Sequence, residues 1–132
     1  MSKPNPNDRK YSSEHEWAKD NGDGTITVGV TDYAQEMLTD IVFVELPALG
    51  KKVKKMQGLA VVESVKSVSD IYSPVSGEVI EVHQDLETSP ELINQDAFGE
   101  GWICRIKMDA PTQLDELMEA AAYDQFIQGL AH

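Results

Sequence analysis

Short apolar runs rich in valine and isoleucine, separated by turn residues, are the dominant pattern along this chain. Residues 25–30 alternate polar and apolar positions directly after an Asn-Gly-Asp-Gly segment at 21–24, which favours a tight hairpin turn. Further runs of the same kind predict strands at residues 41–46, 59–65, 68–72, 77–82 and 102–108. The repeated short strands predict a mainly β fold.

Three segments with helical signals interrupt this pattern. Residues 32–38 are predicted to form a short helix with Asp32 as its N-cap, and Ser89-Pro90-Glu91 has the residues typical of a helix start. Near the C-terminus a helical apolar face, predicted to pack on the sheet, is formed by Leu114, Leu117, Met118 and Ala121. The expected architecture is therefore a flattened barrel or sandwich with short helices and a C-terminal helix.

The length of 132 residues predicts one domain. Residues 1–10 are polar and rich in Pro and Asn, which predicts a flexible N-terminus before a single domain at 11–132. No stretch approaches the roughly 18 apolar residues that a membrane helix needs. The first eight residues contain no apolar signal segment, so we expect a cytoplasmic protein that has no membrane partner.

The charge of the chain is strongly negative. Its 23 acidic and 11 basic residues give a formal net charge of -12, which makes nucleic acid an unfavourable partner. The same charge would let basic patches on partner proteins steer association, although it is equally compatible with simple solubility. The one cysteine, Cys104, cannot form an internal disulfide and is expected to be a buried strand residue.

Lys66 lies between two β-prone runs, with Ser64, Ser67 and Ser69 close by. This placement predicts a hairpin tip, where the flexible lysine stem would hold the amine clear of the surface for acylation. Spacing alone also fits an ordinary surface lysine in a turn, because most lysines are exposed.

The stretch from residue 58 to 82 resembles the modified-lysine segment of lipoyl and biotinyl carrier domains. Lys66 and Gly77 have the spacing of eleven that these families show, and the neighbours Val65 and Ser67 favour lipoyl over biotinyl, since biotin carriers generally place methionines there. Six segments in order resemble the glycine cleavage system H proteins: SEHEW (13–17), VGVTDYAQ (28–35), DIVFVELP (40–47), ESVKS (63–67), PELIN (90–94) and GEGW (99–102).

The resemblance implies a fold of the lipoyl-carrier type and lipoate attached to Lys66 through an amide. It implies a shuttle that carries the aminomethyl group of glycine and has no catalytic residue of its own. The implied partners are a pyridoxal-phosphate glycine decarboxylase, a tetrahydrofolate-dependent aminomethyltransferase, dihydrolipoamide dehydrogenase and a lipoyl-attaching enzyme. Two alternatives remain: an H-like protein that relays lipoyl or octanoyl groups to other enzymes, and an unmodified β-sheet interaction module.

By the same match, Glu16 and Asp70 are candidates for the acids that meet the cationic amine of the carried group in a surface cleft. The alternative for both is a solvated surface carboxylate. His15 is expected to have a structural role, with a hydrogen bond to the Trp17 loop, and one histidine without a second ligand is poor evidence for a metal site. The chain departs from the family pattern at Tyr33, where histidine is frequent, and at His83, where asparagine is frequent.

Overall fold

The computed structural model describes residues 4–130, and these form two antiparallel sheets. A six-stranded sheet has the order β1-β2-β3-β9-β8-β5, and a three-stranded sheet has the order β4-β6-β7. The strands are β1 (Lys10–Tyr11), β2 (Glu16–Asp20), β3 (Thr25–Val30), β4 (Ile41–Glu45), β5 (Lys52–Val53), β6 (Gly58–Ser64), β7 (Val68–Tyr72), β8 (Gly77–Val82) and β9 (Cys104–Met108).

The helices are short and lie between or after the strands. They are α1 (Asp32–Leu38), α2 (Asp85–Thr88), α3 (Leu92–Gln95), a 3₁₀ helix (Pro111–Glu116) and α4 (Ala120–Leu130). None of the helices between residues 4 and 130 is both long enough and apolar enough to cross a membrane.

The main core lies between the two sheets, where inward-facing residues of both alternate with outward-facing ones. Its fully buried members include Ile26, Val28, Val62, Val79 and Ile106. A second cluster of Tyr11, Trp17, Ala120 and Tyr123 packs α4 against the six-stranded sheet. The two sheets remain separate, so the fold is a flattened sandwich with a C-terminal helix, and the barrel alternative is not observed.

All six predicted strands are confirmed to within two residues at either end. Both glycines of the predicted turn at 21–24, Gly22 and Gly24, adopt a φ of 86°, a left-handed conformation that glycine reaches without strain. Pattern reasoning missed β1, β2 and β5, and two of these have only two residues, too few to show alternation.

The predicted N-cap of α1 was wrong by one residue. Thr31, and not Asp32, is the cap: its backbone is extended, and its Oγ1 accepts a hydrogen bond from the amide of Ala34 at 3.2 Å. A threonine is as suitable as an aspartate for this role, so the residue types alone do not separate the two positions.

The predicted C-terminal apolar face does not form one helix. Leu114 is buried in the 3₁₀ helix, and α4 begins only at Ala120. Between them the backbone of Met118 pairs with Tyr11 through two hydrogen bonds of 2.8 Å, which holds this point extended. The pairing of Met118 with Tyr11 therefore prevents one continuous helix, although the apolar residues have helical spacing.

The segment predicted to be flexible, residues 1–10, is only partly described. Residues 1–3 lie outside the described residues, as do residues 131–132 at the other end of the predicted domain. Arg9 packs its guanidinium 4.5 Å from the Trp17 ring centroid and donates to the carbonyl of Phe98 at 2.8 Å. The boundary between residues 10 and 11 thus remains a prediction, since contacts with the fold begin before it.

Candidate functional site

Lys66 lies at the tip of the hairpin that joins β6 to β7, as the flanking β-prone runs predicted. Ser64 closes the tip: its Oγ accepts from the amides of Lys66 at 3.2 Å and Ser67 at 3.0 Å, and its own amide donates to the Ser67 carbonyl at 2.8 Å. The amide of Val65 donates to the carbonyl of Asp40 at 3.0 Å, which fastens the tip to the residue before β4. A rigid base therefore supports a flexible side chain.

The Lys66 side chain is exposed. Within residues 4–130 its ammonium group forms no ion pair within 4.0 Å, although the chain contains 23 acidic residues. Gly77, eleven residues later, begins β8, where an added Cβ would lie 2.2 Å from the carbonyl oxygen of Lys107. The two residues with the spacing of eleven thus have different roles: Lys66 provides an accessible amine, and Gly77 allows β8 and β9 to approach closely.

A groove of about 390 Å³ lies on the inward side of this hairpin. Its volume is within the range of small-molecule sites, and its lining is mostly apolar. The lining residues come from β7, α1, the loop before β2, the end of β3 and the end of α4: Glu14, His15, Val30, Tyr33, Ala34, Met37, Leu38, Ser69, Ile71 and Leu130. Sequence patterns did not reveal this groove, because its residues are distant in the chain.

One wall of the groove is held by a chain of hydrogen bonds. The Tyr123 hydroxyl of α4 lies 2.8 Å from His15 Nδ1 and 2.7 Å from Thr31 Oγ1. Burial lowers the pKa of His15, which favours a neutral ring that accepts a hydrogen bond from the tyrosine. The His15 side chain thus has a structural role, but it contacts Tyr123 of α4 instead of the expected partner, the Trp17 loop.

Glu16 is fully buried, which excludes a solvated surface position for it. Its Oε1 accepts from Ser12 Oγ at 2.5 Å, and its Oε2 accepts from the amide of Tyr72 at 3.2 Å. Burial raises the pKa of Glu16 to about 7, against the effect of these two hydrogen bonds. The Glu16 carboxyl of β2 therefore has a pKa near neutral while it bonds the amide of Tyr72, the last residue of β7.

Asp70 lies on the opposite, outward side of β7 and is exposed. It lines a separate depression with Glu45, Lys51 and Val61, so the structure does not bring Asp70 and Glu16 together at one cleft. Both acids are close to β7. Asp70 is on the outward face of this strand, and Glu16 accepts a hydrogen bond from the amide of Tyr72, two residues after Asp70.

The two departures from the family pattern lie in different places. Tyr33 lines the groove, and its ring centroid is 4.9 Å from that of His15. His83 stacks on Trp102 with centroids 4.4 Å apart, and it does not line the groove. Only the first departure therefore alters the shape of the groove. No group of three or more His, Cys, Asp or Glu residues that could hold a metal ion occurs between residues 4 and 130.

Three comparisons relate this geometry to known proteins. The family model described as Glycine cleavage H-protein matches residues 9–129. The glycine cleavage system H protein of Symbiobacterium thermophilum is 55% identical over 121 residues, covering 92% of this chain and 94% of the relative. That of Thermus thermophilus is 53% identical over 126 residues, covering 96% and 98%. The crystal structure of the Mycobacterium marinum H protein superposes with a TM-score of 0.84 at 36% identity, covering 92% of this chain and 97% of that one.

Proposed function

Because the chain belongs to the glycine cleavage H-protein family, we propose that it serves as the lipoyl carrier of the glycine cleavage system, with lipoate joined by an amide to Nζ of Lys66. The observation that carries the proposal is the exposed amine at the tip of a hydrogen-bonded hairpin, which forms no ion pair with the described residues 4–130. An amine in this position is open to an acylating enzyme, while Ser64 keeps its backbone fixed.

The residues around the tip fit such a group. The groove beside the hairpin offers Met37, Ile71 and Leu130 as apolar contacts for an aliphatic chain, with Ser69 and His15 as polar ones. When bound, lipoate would supply a dithiolane that takes up the one-carbon fragment and a pair of electrons, while the protein positions and protects it.

The proposal includes the partners that the family implies. They are the pyridoxal-phosphate decarboxylase, the tetrahydrofolate-dependent aminomethyltransferase, dihydrolipoamide dehydrogenase and the lipoyl-attaching enzyme, all acting in the cytoplasm on a carrier that is not itself an enzyme. The net charge of -12 supports association with basic surfaces of such partners.

Asp70 and Glu16 have different parts in this proposal. Asp70 is exposed on the outward face of β7, so its carboxylate can meet a cationic amine only when the loaded arm lies outside the groove. Glu16 has no exposed surface, so its part is that of a positioning residue that holds β7 through the amide of Tyr72. Replacing Glu16 by Gln, whose neutral oxygen is a weaker acceptor than a carboxylate, should then shorten the lifetime of the carried aminomethyl group, and Glu16→Ala, which removes the acceptor, should raise hydrogen exchange at the Tyr72 amide. Unchanged values for both, compared with Glu100→Gln as an exposed control outside the groove, would remove Glu16 from the mechanism.

The two alternatives are less favoured. Relay of lipoyl or octanoyl groups uses the same lysine, but the family model and the relatives carry the name of the glycine cleavage system. An unmodified interaction module would not require the accessible lysine at the tip of this hairpin.

The direct test is the intact mass of the protein from cells supplied with lipoate. We expect wild type and the exposed-lysine control Lys52→Ala to gain one lipoyl group, and Lys66→Ala to gain none. Wild type without any acyl increment in the presence of a competent attaching enzyme would refute the carrier function. An increment that persists in Lys66→Ala would place the attachment elsewhere.

A further inference from the structure

On the outward face of the three-stranded sheet, next to Lys66, apolar and acidic residues alternate. Strand register places three residues of β4, β6 and β7 side by side in each of two outward rows. The row nearer the tip is Phe43, Glu63 and Val68, and the next row is Glu45, Val61 and Asp70. Neighbours within a row are about 4.8 Å apart, and the rows are separated by about 7 Å, the distance of two residues along a strand.

The apolar members of this face are exposed to an unusual degree. Val68 is 64% exposed and Phe43 is 49% exposed, and next to them Val65 and Val42 are 69% and 53% exposed. Single exposed apolar residues need no explanation, but four large ones around one lysine form a patch of the kind that marks an interaction site.

Acidic residues occupy the alternate positions. Glu63 lies between Phe43 and Val68 in the first row, and Glu45 and Asp70 lie on either side of Val61 in the second. Within residues 4–130 no ion pair shorter than 4.0 Å involves any of these three carboxylates. The face therefore combines unpaired negative charge with exposed apolar surface in a regular pattern.

We propose that this face is the docking surface for the acyl-attaching enzyme, and that the enzyme meets it with Lys and Arg side chains. A long basic side chain covers apolar surface with its aliphatic stem while its head group pairs with a carboxylate, which matches the alternation within each row. The proposal rests on the proposed function, because it assigns the partner that must act on Lys66.

The choice of this partner follows from reach. An enzyme that acylates Nζ acts on the bare lysine side chain, so its surface must contact the residues immediately around the tip. The enzymes that act on the far end of an attached arm are not held to this distance. The first row and Val65 are the residues next to the tip, and they are where the exposed apolar surface is concentrated.

The test measures acylation of the unmodified chain by a lipoate–protein ligase with lipoate and ATP, read by intact mass. We expect Glu45→Lys to raise the KM for the chain about fivefold and Val68→Ser about threefold, with kcat within twofold of wild type. The matched controls on other surfaces, Glu100→Lys and Ile80→Ser, should keep the wild-type KM. Added salt should raise the wild-type KM more steeply than that of Glu45→Lys. Equal KM values for test and control variants would overturn the proposal.

A binding measurement separates this proposal from the carrier function. Calorimetry of the ligase with the Lys66→Ala chain reports docking without any acylation. A Kd that Glu45→Lys weakens about fivefold supports the docking face even if wild type accepts no lipoyl group. A Kd that stays unchanged in Glu45→Lys and Val68→Ser refutes the docking role of this face even if Lys66 is acylated. Thermal unfolding of each variant confirms that the folded protein is being measured.

Discussion

The buried carboxyl of Glu16 makes a strong prediction about stability and pH. In the unfolded chain this group ionises near its usual pKa of about 4.5, whereas burial in the folded protein raises the pKa to about 7. Between these values the folded state holds a proton that the unfolded state has released. The contribution of Glu16 to the free energy of unfolding is therefore fully present below pH 4.5. This contribution is lost as the pH rises through 7.

The size of the effect follows from the two pKa values. A tenfold change in an ionisation equilibrium corresponds to about 1.4 kcal/mol, so ionised Glu16 costs the folded protein about 3 kcal/mol. Full burial means that solvent screening does not reduce this figure greatly. Glu16→Gln removes the charge and retains an amide that can bond both Ser12 and the Tyr72 amide. The variant should therefore be more stable than wild type at pH 8 by about 2 to 3 kcal/mol.

Urea unfolding at pH 5, 6, 7 and 8 measures this directly. We expect the free energy of unfolding of wild type, relative to Glu16→Gln, to fall by about 2.5 kcal/mol from pH 5 to pH 8. Glu100→Gln is the control, because Glu100 is an exposed carboxylate that does not contribute to the raised pKa of Glu16 and should leave the wild-type pH dependence unchanged. Parallel curves for wild type and Glu16→Gln would show that the Glu16 carboxyl is not held protonated in the folded protein.

Three further predictions concern other buried groups. Gly29→Ala should destabilise the protein by about 2 kcal/mol in urea unfolding, because the new Cβ would lie 2.6 Å from the Trp17 ring, whereas Gly58→Ala, which meets open space, should change little. Tyr123→Phe should cost about 1 to 2 kcal/mol by removing a hydroxyl with two hydrogen-bond partners; a wild-type free energy of unfolding would contradict the network. Cys104 is buried with its pKa raised to about 12, so at pH 8 a thiol reagent should modify it only after unfolding.

Local sequence signals predicted those parts of the fold that depend on local alternation. The hairpin around Lys66, the turn at Gly22 and Gly24 and the longer strands all follow from apolar periodicity and turn residues. The C-terminal segment was predicted less well, because the pairing of Met118 with Tyr11 involves residues more than a hundred positions apart. A local pattern contains no information about such a contact.

The candidate site also contains one residue whose position could be predicted from local sequence and one whose environment could not. The position of Lys66 could be predicted, since a hairpin tip is a local structure, and the family resemblance added the chemistry. The burial of Glu16 could not be predicted, because an acidic residue is usually solvated and nothing in its neighbours indicates otherwise. Its environment depends on the amide of Tyr72, which is 56 residues away in the chain.

Two features of this protein oppose stability or solubility, and both adjoin the β6–β7 hairpin. Glu16 holds an ionisable group in the interior beside the last residue of β7, and Phe43 and Val68 expose apolar surface next to Lys66. Natural sequences keep such violations of folding rules mainly where function requires them. The physics of the fold thus indicates the same hairpin as the resemblance of residues 58–82 to modified-lysine segments, by an independent route. It follows that Glu16→Gln and Val68→Ser should improve stability or solubility and still impair the carrier, a combination that substitutions at inert positions would not show.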